Sequence, residues 1–419
     1  MTMGFEIPTS SRSAGLLGMT LSFLEIASSP AGLLAMTLRV CYNITMIEAL
    51  FYKKLANQQA RCKLCNQHCI INDGRVGICG VRKNISGKLN SLNYGKIVAA
   101  NIDPVEKKPL FHFLPGSLTY SIAAVGCNFS CAHCQNADIS QSPKSKVQSS
   151  KFTTGETTPE EVVELAVVNG CPSISYTYTE PTIFYEFALD CMKLAYRKGL
   201  KNIWVTNGYT GREALELASP YLDAVNVDLK FFSQHSYQKI CGARLQPVLD
   251  NLKWYAKSGK ESASEASESD SGARKSDKEC NFESSELNSG ARKKIWLEIT
   301  TLIIPTVNDS DKELGEMAKF IHDELGAEVP WHLSAFFPAH EMADKPPTPK
   351  STILRAYEIG KQAGLHYVYG GNIVDAKMEN TYCPKCGTVV IERHGYEVER
   401  RDDDGKCGKC GAAIAGVWK

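Results

Sequence analysis

From about Ser121 to Tyr369 the chain alternates short β-rich runs with longer stretches of helical periodicity, the pattern of repeated β/α units around a parallel sheet. Six runs read as strands: Thr119 to Val125, Ser173 to Thr179, Asn202 to Thr206, Ala224 to Asp228, Ile295 to Ile304 and Trp331 to Phe336. The best-marked helix between them has Thr158 as N-cap, Pro159 in its first turn, Glu161 completing a capping box, and Asn169 and Gly170 at its end. Further helices are expected at Ile183 to Arg197, Leu245 to Lys257, Lys312 to Leu325 and Lys350 to Ala363. The expected fold is therefore α/β, a partial (β/α)6 TIM-type barrel that stops short of eight units.

The flanks break this pattern and divide the chain into segments 1–45, 46–117, 118–375 and 376–419. Residues 1–45 carry a near-duplicate, Ala14 to Leu21 and Ala31 to Leu38. Neither copy reaches the roughly 18 apolar residues of a membrane span, and only Arg12 precedes the first, too little for a secretory leader. A poorly ordered extension is expected there, and Met46 offers an alternative start before an amphipathic helix, Ile47 to Leu55. Within the barrel, residues 258–292 are rich in Ser, Glu, Lys and Gly and repeat Ser271 to Lys275 as Ser289 to Lys293, which predicts a disordered insertion.

Charge excludes little but still narrows the field: a net charge of +1 gives no global attraction for nucleic acid or anionic membrane. Cysteine is more informative. Of 16 cysteines, eleven fall into three tight groups, which reads as metal ligation in a reducing compartment, hence a cytoplasmic protein. The remaining five, Cys41, Cys171, Cys191, Cys241 and Cys280, are expected to be core or incidental thiols.

The central group, Cys127, Cys131 and Cys134, directly follows the first strand. A C-x3-C-x2-C loop converges three soft thiolates, which suits an iron–sulfur cluster, and three ligands leave one of four irons open to an exogenous ligand. Near the N-terminus Cys62, Cys65, Cys69 and Cys79 offer four thiolates, for zinc or an auxiliary closed cluster, with reduced free thiols as the rival reading. At the C-terminus Cys383 and Cys386, then Cys407 and Cys410, form two knuckles joined by a hairpin, Thr388 to Arg393 and Tyr396 to Arg401. That spacing predicts a zinc ribbon, with a redox-active pair as its rival.

The Gly126-to-Asn136 loop resembles that of the radical S-adenosylmethionine (SAM) superfamily, in which the open iron binds the cofactor's amino and carboxylate groups. One electron then splits the sulfonium into methionine and a 5'-deoxyadenosyl radical. By this resemblance Cys127, Cys131 and Cys134 are catalytic, and His133, Tyr178, Thr179, Glu180, Asn207, Asp228, Lys230 and His332 contact the cofactor. Tyr176 to Pro181 stands where the superfamily commonly has Gly-Gly-Glu. Thr206 to Gly208 and Asp228 to Lys230 resemble motifs of glycyl-radical activating enzymes.

From Cys62 onward the chain resembles one subfamily, the radical SAM enzyme of the AmmeMemoRadiSam system. The motifs are Asp103 to Leu110, His112 to Gly116, the cluster loop, Tyr178 to Thr182, Asp228 to Lys230, Tyr369 to Asn372 and the terminal cysteines. The resemblance implies a [4Fe-4S] cluster and SAM as cofactors, and zinc is expected at the ribbon. It also implies AMMECR-type and Memo-type partners, an external one-electron donor of ferredoxin or flavodoxin type, and hydrogen abstraction from an unidentified substrate. An enzymatic rival is an activating enzyme that installs a glycyl radical, as for pyruvate formate-lyase. A rival of another class is a non-catalytic iron–sulfur and zinc binding module, which would not cleave SAM.

Overall fold

The computed structural model describes residues 46–141, 156–259 and 293–419. The extension at 1–45 and nearly all of the expected insertion lie outside the described residues, as do Cys41 and Cys280. Ser258, expected at the head of that insertion, is instead buried, and its Oγ accepts from Ile295 N at 2.9 Å.

The core of the molecule is one eight-stranded sheet in which every strand lies beside its neighbour in the chain. Its members are β1 (Ile97–Pro104), β2 (Leu118–Ala124), β3 (Ser173–Tyr176), β4 (Lys201–Thr206), β5 (Ala224–Asp228), β6 (Trp296–Ile303), β7 (Trp331–Ala335) and β8 (Val368–Gly371). β1 runs antiparallel to β2 along the edge, and β2 to β8 are all parallel. The six expected strands are present, three of them (β3, β6 and β7) shorter than drawn from sequence. A seventh parallel strand, β8, follows them; its four residues end in two glycines, too weak a pattern to stand out.

The crossovers are α1 (Pro159–Val168), α2 (Tyr185–Arg197), α3 (Arg212–Ala218), α4 (Leu245–Ala256), α5 (Asp311–Phe320) and α6 (Lys350–Gln362). α1 starts as its sequence dictates: Thr158 Oγ1 accepts from Glu161 N at 3.2 Å and Glu161 Oε2 accepts from Thr158 N at 2.9 Å, satisfying two otherwise orphaned donors. α5 continues into a π-type turn, Ile321–Leu325. Among the described residues no helix is long and apolar enough to cross a membrane.

The helix expected at Ile47 to Leu55 is not formed. Ile47–Glu48 pairs with Ser91 and Asn90, and Tyr52–Lys54 pairs with Ala60–Cys62, giving two small antiparallel sheets. Tertiary partners override the helical period here. Glu186 of α2 accepts from Leu50 N at 2.7 Å with one carboxylate oxygen and binds the buried Arg82 at 2.7 Å with the other. A helix would have used that N–H internally.

The C-terminal hairpin, β9 (Val389–His394) and β10 (Glu397–Arg400), lies where expected and is fastened to the barrel by a buried polar network. Glu298 of β6 accepts from Phe111 N (3.0 Å), His112 N (2.8 Å), Trp296 Nε1 (2.9 Å) and His332 (2.7 Å). Arg393 of β9 donates to Phe111 O at 2.7 Å and lies 4.1 Å from the Phe111 ring centroid. His112 Nδ1 faces Ala415 O at 2.6 Å, which can only accept, so Nδ1 carries the proton; Nε2 then accepts from Tyr369 at 2.5 Å.

Burial holds the His112 imidazole down to about 4, so it remains neutral at a pH where an unfolded histidine, near 6.5, is already charged. The unfolded state binds the extra proton throughout that window, and stability must fall as pH drops. Lowering pH from 6.5 to 5 should cost about 2 kcal/mol through this residue. Urea unfolding of wild type and His112→Asn at both pH values checks it; equal pH dependence in the two proteins would contradict the assignment.

Candidate active site

Cys127, Cys131 and Cys134 sit on the loop after β2, at the carboxyl end of the parallel sheet, where β/α barrels place reacting groups. They line a cavity of about 310 Å³ together with Glu180, Asn207, Asp228 and Lys230 from the ends of β3, β4 and β5. Lys107, Asn136, Thr300 and Ser334 also line it. Lys107 and Asn136 fall within the Asp103-to-Leu110 motif and the Gly126-to-Asn136 loop, whereas nothing in the local pattern of Thr300 distinguishes it from an ordinary strand residue.

Glu180 organises the rim. Its carboxylate accepts from Thr182 N (3.1 Å), Thr182 Oγ1 (2.5 Å), Thr206 Oγ1 (2.8 Å) and Asn207 N (2.8 Å), tying the β3 and β4 loops together. Burial raises its pKa, and these donors oppose the rise. Asn207 Nδ2 then donates to Asn128 Oδ1 of the cluster loop at 2.7 Å. Lys230 Nζ pairs with Asp228 at 2.9 Å; burial opposes its charge, but Asp228 and the nearby thiols outweigh burial and push its pKa well up.

Tyr178 and Thr179 also line the cavity, and Tyr178 adopts a positive φ of 61°, a strained conformation for a non-glycine residue. Its hydroxyl bonds to Asp103, its carbonyl accepts from Asn136 at 2.7 Å, and Lys108 lies 4.5 Å from its ring centroid. Asp103 also binds Lys107 at 2.8 Å and Lys108 at 2.6 Å. Burial opposes ionisation of this carboxyl, yet the two lysines and Tyr178 hold it well below the usual range. The Asp103-to-Leu110 motif thus braces the strained turn at the cavity wall.

His133 is buried, lies edge-on to Phe231 and has no hydrogen-bond partner for either ring nitrogen. Burial first, and Lys230 second, lower its pKa to about 3, so it is a neutral imidazole lining the cavity. His332 is placed differently from the expectation. It does not line this cavity but an adjoining one, because Glu298 holds its Nε2 at 2.7 Å and its ring stacks on Tyr369 at 5.1 Å.

The scattered cysteines divide. Cys171 and Cys191 are buried thiols of the core. Cys241 is buried too, but its sulfur lies within 4.8 Å of both Cys131 Sγ and a ring nitrogen of His133. It belongs to a π-type turn, Tyr237–Cys241, whose carbonyls accept from the cluster loop, Ser130 N to Cys241 O and Ala132 N to Ile240 O, both at 2.9 Å. The hydrogen bond to Cys241 and burial both push the Cys131 thiol well up, and burial does the same for Cys127. Such thiols ionise when a metal displaces their protons. Three soft donors around a cavity walled by carboxylate, amide and ammonium groups fit an iron–sulfur cluster with a zwitterionic ligand beside it.

Residues 121–266 match the family model described as the Radical SAM superfamily. The chain is 41% identical over 372 residues to the Methanocaldococcus jannaschii protein MJ0808, covering 88% of this chain and 99% of that protein. This chain belongs to the radical SAM superfamily. It is therefore an enzyme of a family that works with a [4Fe-4S] cluster and SAM. Among solved structures it is similar to a domain of a pyruvate-formate lyase-activating enzyme from Bacteroides vulgatus, at 16% identity and TM-score 0.34, covering 47% of this chain and 98% of that one. It is also similar to a radical SAM methyltransferase from Sphaerobacter thermophilus, at 16% identity and TM-score 0.42, covering 66% and 71%.

The rim geometry gives a direct test. Glu180→Gln replaces an acceptor of four bonds by an amide with two donors of its own, and should weaken SAM binding about tenfold, the effect of losing one charge-assisted hydrogen bond. Isothermal titration of the reconstituted enzyme measures this, with far-UV dichroism to show an intact fold; unchanged affinity would remove Glu180 from the binding rim.

Proposed function

We propose that this enzyme cleaves SAM reductively at Cys127, Cys131 and Cys134 and abstracts hydrogen from a substrate handled with AMMECR-type and Memo-type partners, within a cytoplasmic AmmeMemoRadiSam system. The observation that carries the reading is the single cavity that unites the three thiols with Glu180, Asn207, Asp228 and Lys230. When bound there, the cluster and SAM together supply a 5'-deoxyadenosyl radical. The chain's own residues bind and orient. Glu180 fixes the β3 and β4 loops, the Asp228–Lys230 pair offers both charge signs to a zwitterion, and neutral His133 presents a ring face and two unpaired nitrogens.

The substrate has a place of its own. A second cavity, about 400 Å³, shares Lys107, Thr300 and Ser334 with the first and is lined by Phe111, His332 and, from the C-terminal hairpin, Tyr396. A hydrogen atom held there lies beside the SAM cavity, and the hairpin forms one wall.

The hairpin itself is read as a zinc ribbon. Cys383, Cys386, Cys407 and Cys410 gather within 4.8 Å, with sulfur pairs at 3.6 Å, which supports tetrahedral binding of a single ion. Cys62, Cys65, Cys69 and Cys79 are read as a second metal site.

Anaerobically reconstituted enzyme should convert SAM to methionine and 5'-deoxyadenosine under reduction, and the Cys127, Cys131, Cys134 triple Ala variant should not. Chromatography of the products decides, and full activity in the variant would end the proposal. Separately, Cys407→Ala should lower zinc content by about one equivalent and expose the tail to protease while sparing the barrel cluster's absorbance. Unchanged zinc content would refute the ribbon.

A further inference from the structure

Cys62, Cys65, Cys69 and Cys79 line one cleft together with Arg82 and Asn128, and all four are free thiols. The ribbon provides an internal standard for their spacing. Its four sulfurs gather within 4.8 Å, the crowding that a lone tetrahedral ion with bonds of about 2.3 Å requires. Among the described residues no three of the N-terminal thiols come that close, although they share a cleft, and the same holds for Cys127, Cys131 and Cys134. Thiolates that surround a common space yet stand apart suit a polynuclear group with a separate metal behind each sulfur.

A second observation concerns charge. Arg82 is 1% exposed, and although its Nη2 binds Glu186 at 2.7 Å, its Nε has no hydrogen-bond partner. A buried cationic donor beside four thiols suits an anionic centre, which four thiolates around a cluster create.

The two cysteine sites also touch. Gly126, directly before Cys127, has φ of 108°, and a Cβ there would lie 2.7 Å from Cys79 O, so glycine is required for the approach. Gln67, between Cys65 and Cys69, donates to Asn128 O at 2.9 Å, and Asn128 Oδ1 lies 3.8 Å from Cys127 Sγ. Asn128 lines the N-terminal cleft while its side chain accepts from Asn207 of the SAM cavity. One residue therefore spans the two sites. On the outer face of the lobe the cross-strand partners Lys53, Arg61 and Ile70 are all exposed, a cationic and apolar row suited to an acidic electron carrier.

We propose that Cys62, Cys65, Cys69 and Cys79 hold a closed four-thiolate iron–sulfur cluster that relays single electrons from a one-electron carrier protein to the cluster at Cys127, Cys131 and Cys134. The proposal rests on the radical SAM reading of the barrel site. In each transfer the N-terminal cluster loses one electron and the barrel cluster gains one, the carrier then restoring the first; no bond or proton moves. With all four thiolates engaged, the N-terminal cluster has no open iron and does no substrate chemistry itself.

The test uses the full chain, reconstituted without oxygen. The Cys127, Cys131, Cys134 triple Ala variant should retain about four iron and four sulfide and show a reducible paramagnetic signal. A triple variant without iron, carrying a second zinc equivalent instead, would overturn the cluster. For the relay, the Cys65→Ser, Cys69→Ser double variant should lose about tenfold or more in SAM cleavage driven by a ferredoxin-type carrier relative to cleavage driven by dithionite, which reaches the barrel cluster directly. An unchanged ratio would refute the relay. Should the double variant fail to fold, iron retention in the triple variant still decides the cluster. Failure of the radical SAM reading would look different: iron-replete wild type that cleaves no SAM with either reductant.

Discussion

A loop that must turn three thiols toward one point cannot satisfy its own backbone, and the architecture around the site follows from that constraint. Between Gly126 and Cys134 the only backbone–backbone bond internal to the loop runs from Cys134 N to Cys131 O. Several of its other backbone groups are met from elsewhere: the π-type turn accepts from Ser130 and Ala132, Gln67 donates to Asn128 O, Gln141 to Cys131 O at 2.8 Å, and Glu341 N to Ala132 O at 3.0 Å. Elements far apart in sequence therefore hold the loop, which fixes the thiols without occupying them.

The same dependence explains the small sheets before the barrel. The N-terminal lobe brings Gln67 and the Cys79 carbonyl against the cluster loop, and it is anchored by the buried Arg82–Glu186 pair. Removing either partner would strand a charge in the interior, so the lobe and α2 are coupled. On the opposite side Glu298, four times an acceptor, fastens the segment at Phe111 and His112 and, through Arg393 on Phe111, the C-terminal hairpin. The sheet is thus held at both ends, and the second cavity gains a wall from the hairpin.

Much of this was legible in the sequence where the physics is local. The capping box at Thr158 and Glu161, the strand runs and the two hairpin segments appear as read, because caps, β-rich runs and turn residues act within a few positions. The cysteine spacings picked out the three cysteine groups for the same reason. Where tertiary partners compete with local pattern, the reading failed: Ile47 to Leu55 has helical periodicity, yet pairing with Ser91 and Cys62 and the Glu186 carboxylate draw it into strands.

By itself, then, the sequence determined that this is a β/α protein with three cysteine groups, one of them placed after the first parallel strand. Only the tertiary structure decided what those groups meet. It moved His332 into a second cavity through Glu298, set Cys241 beside Cys131, and gave Asp103 a role in bracing Tyr178. It also separated the crowded sulfurs of the hairpin from the spread sulfurs of the N-terminal lobe. Spacing along a chain limits which thiols can meet; how far apart they stand once they do is set by the backbone that carries them.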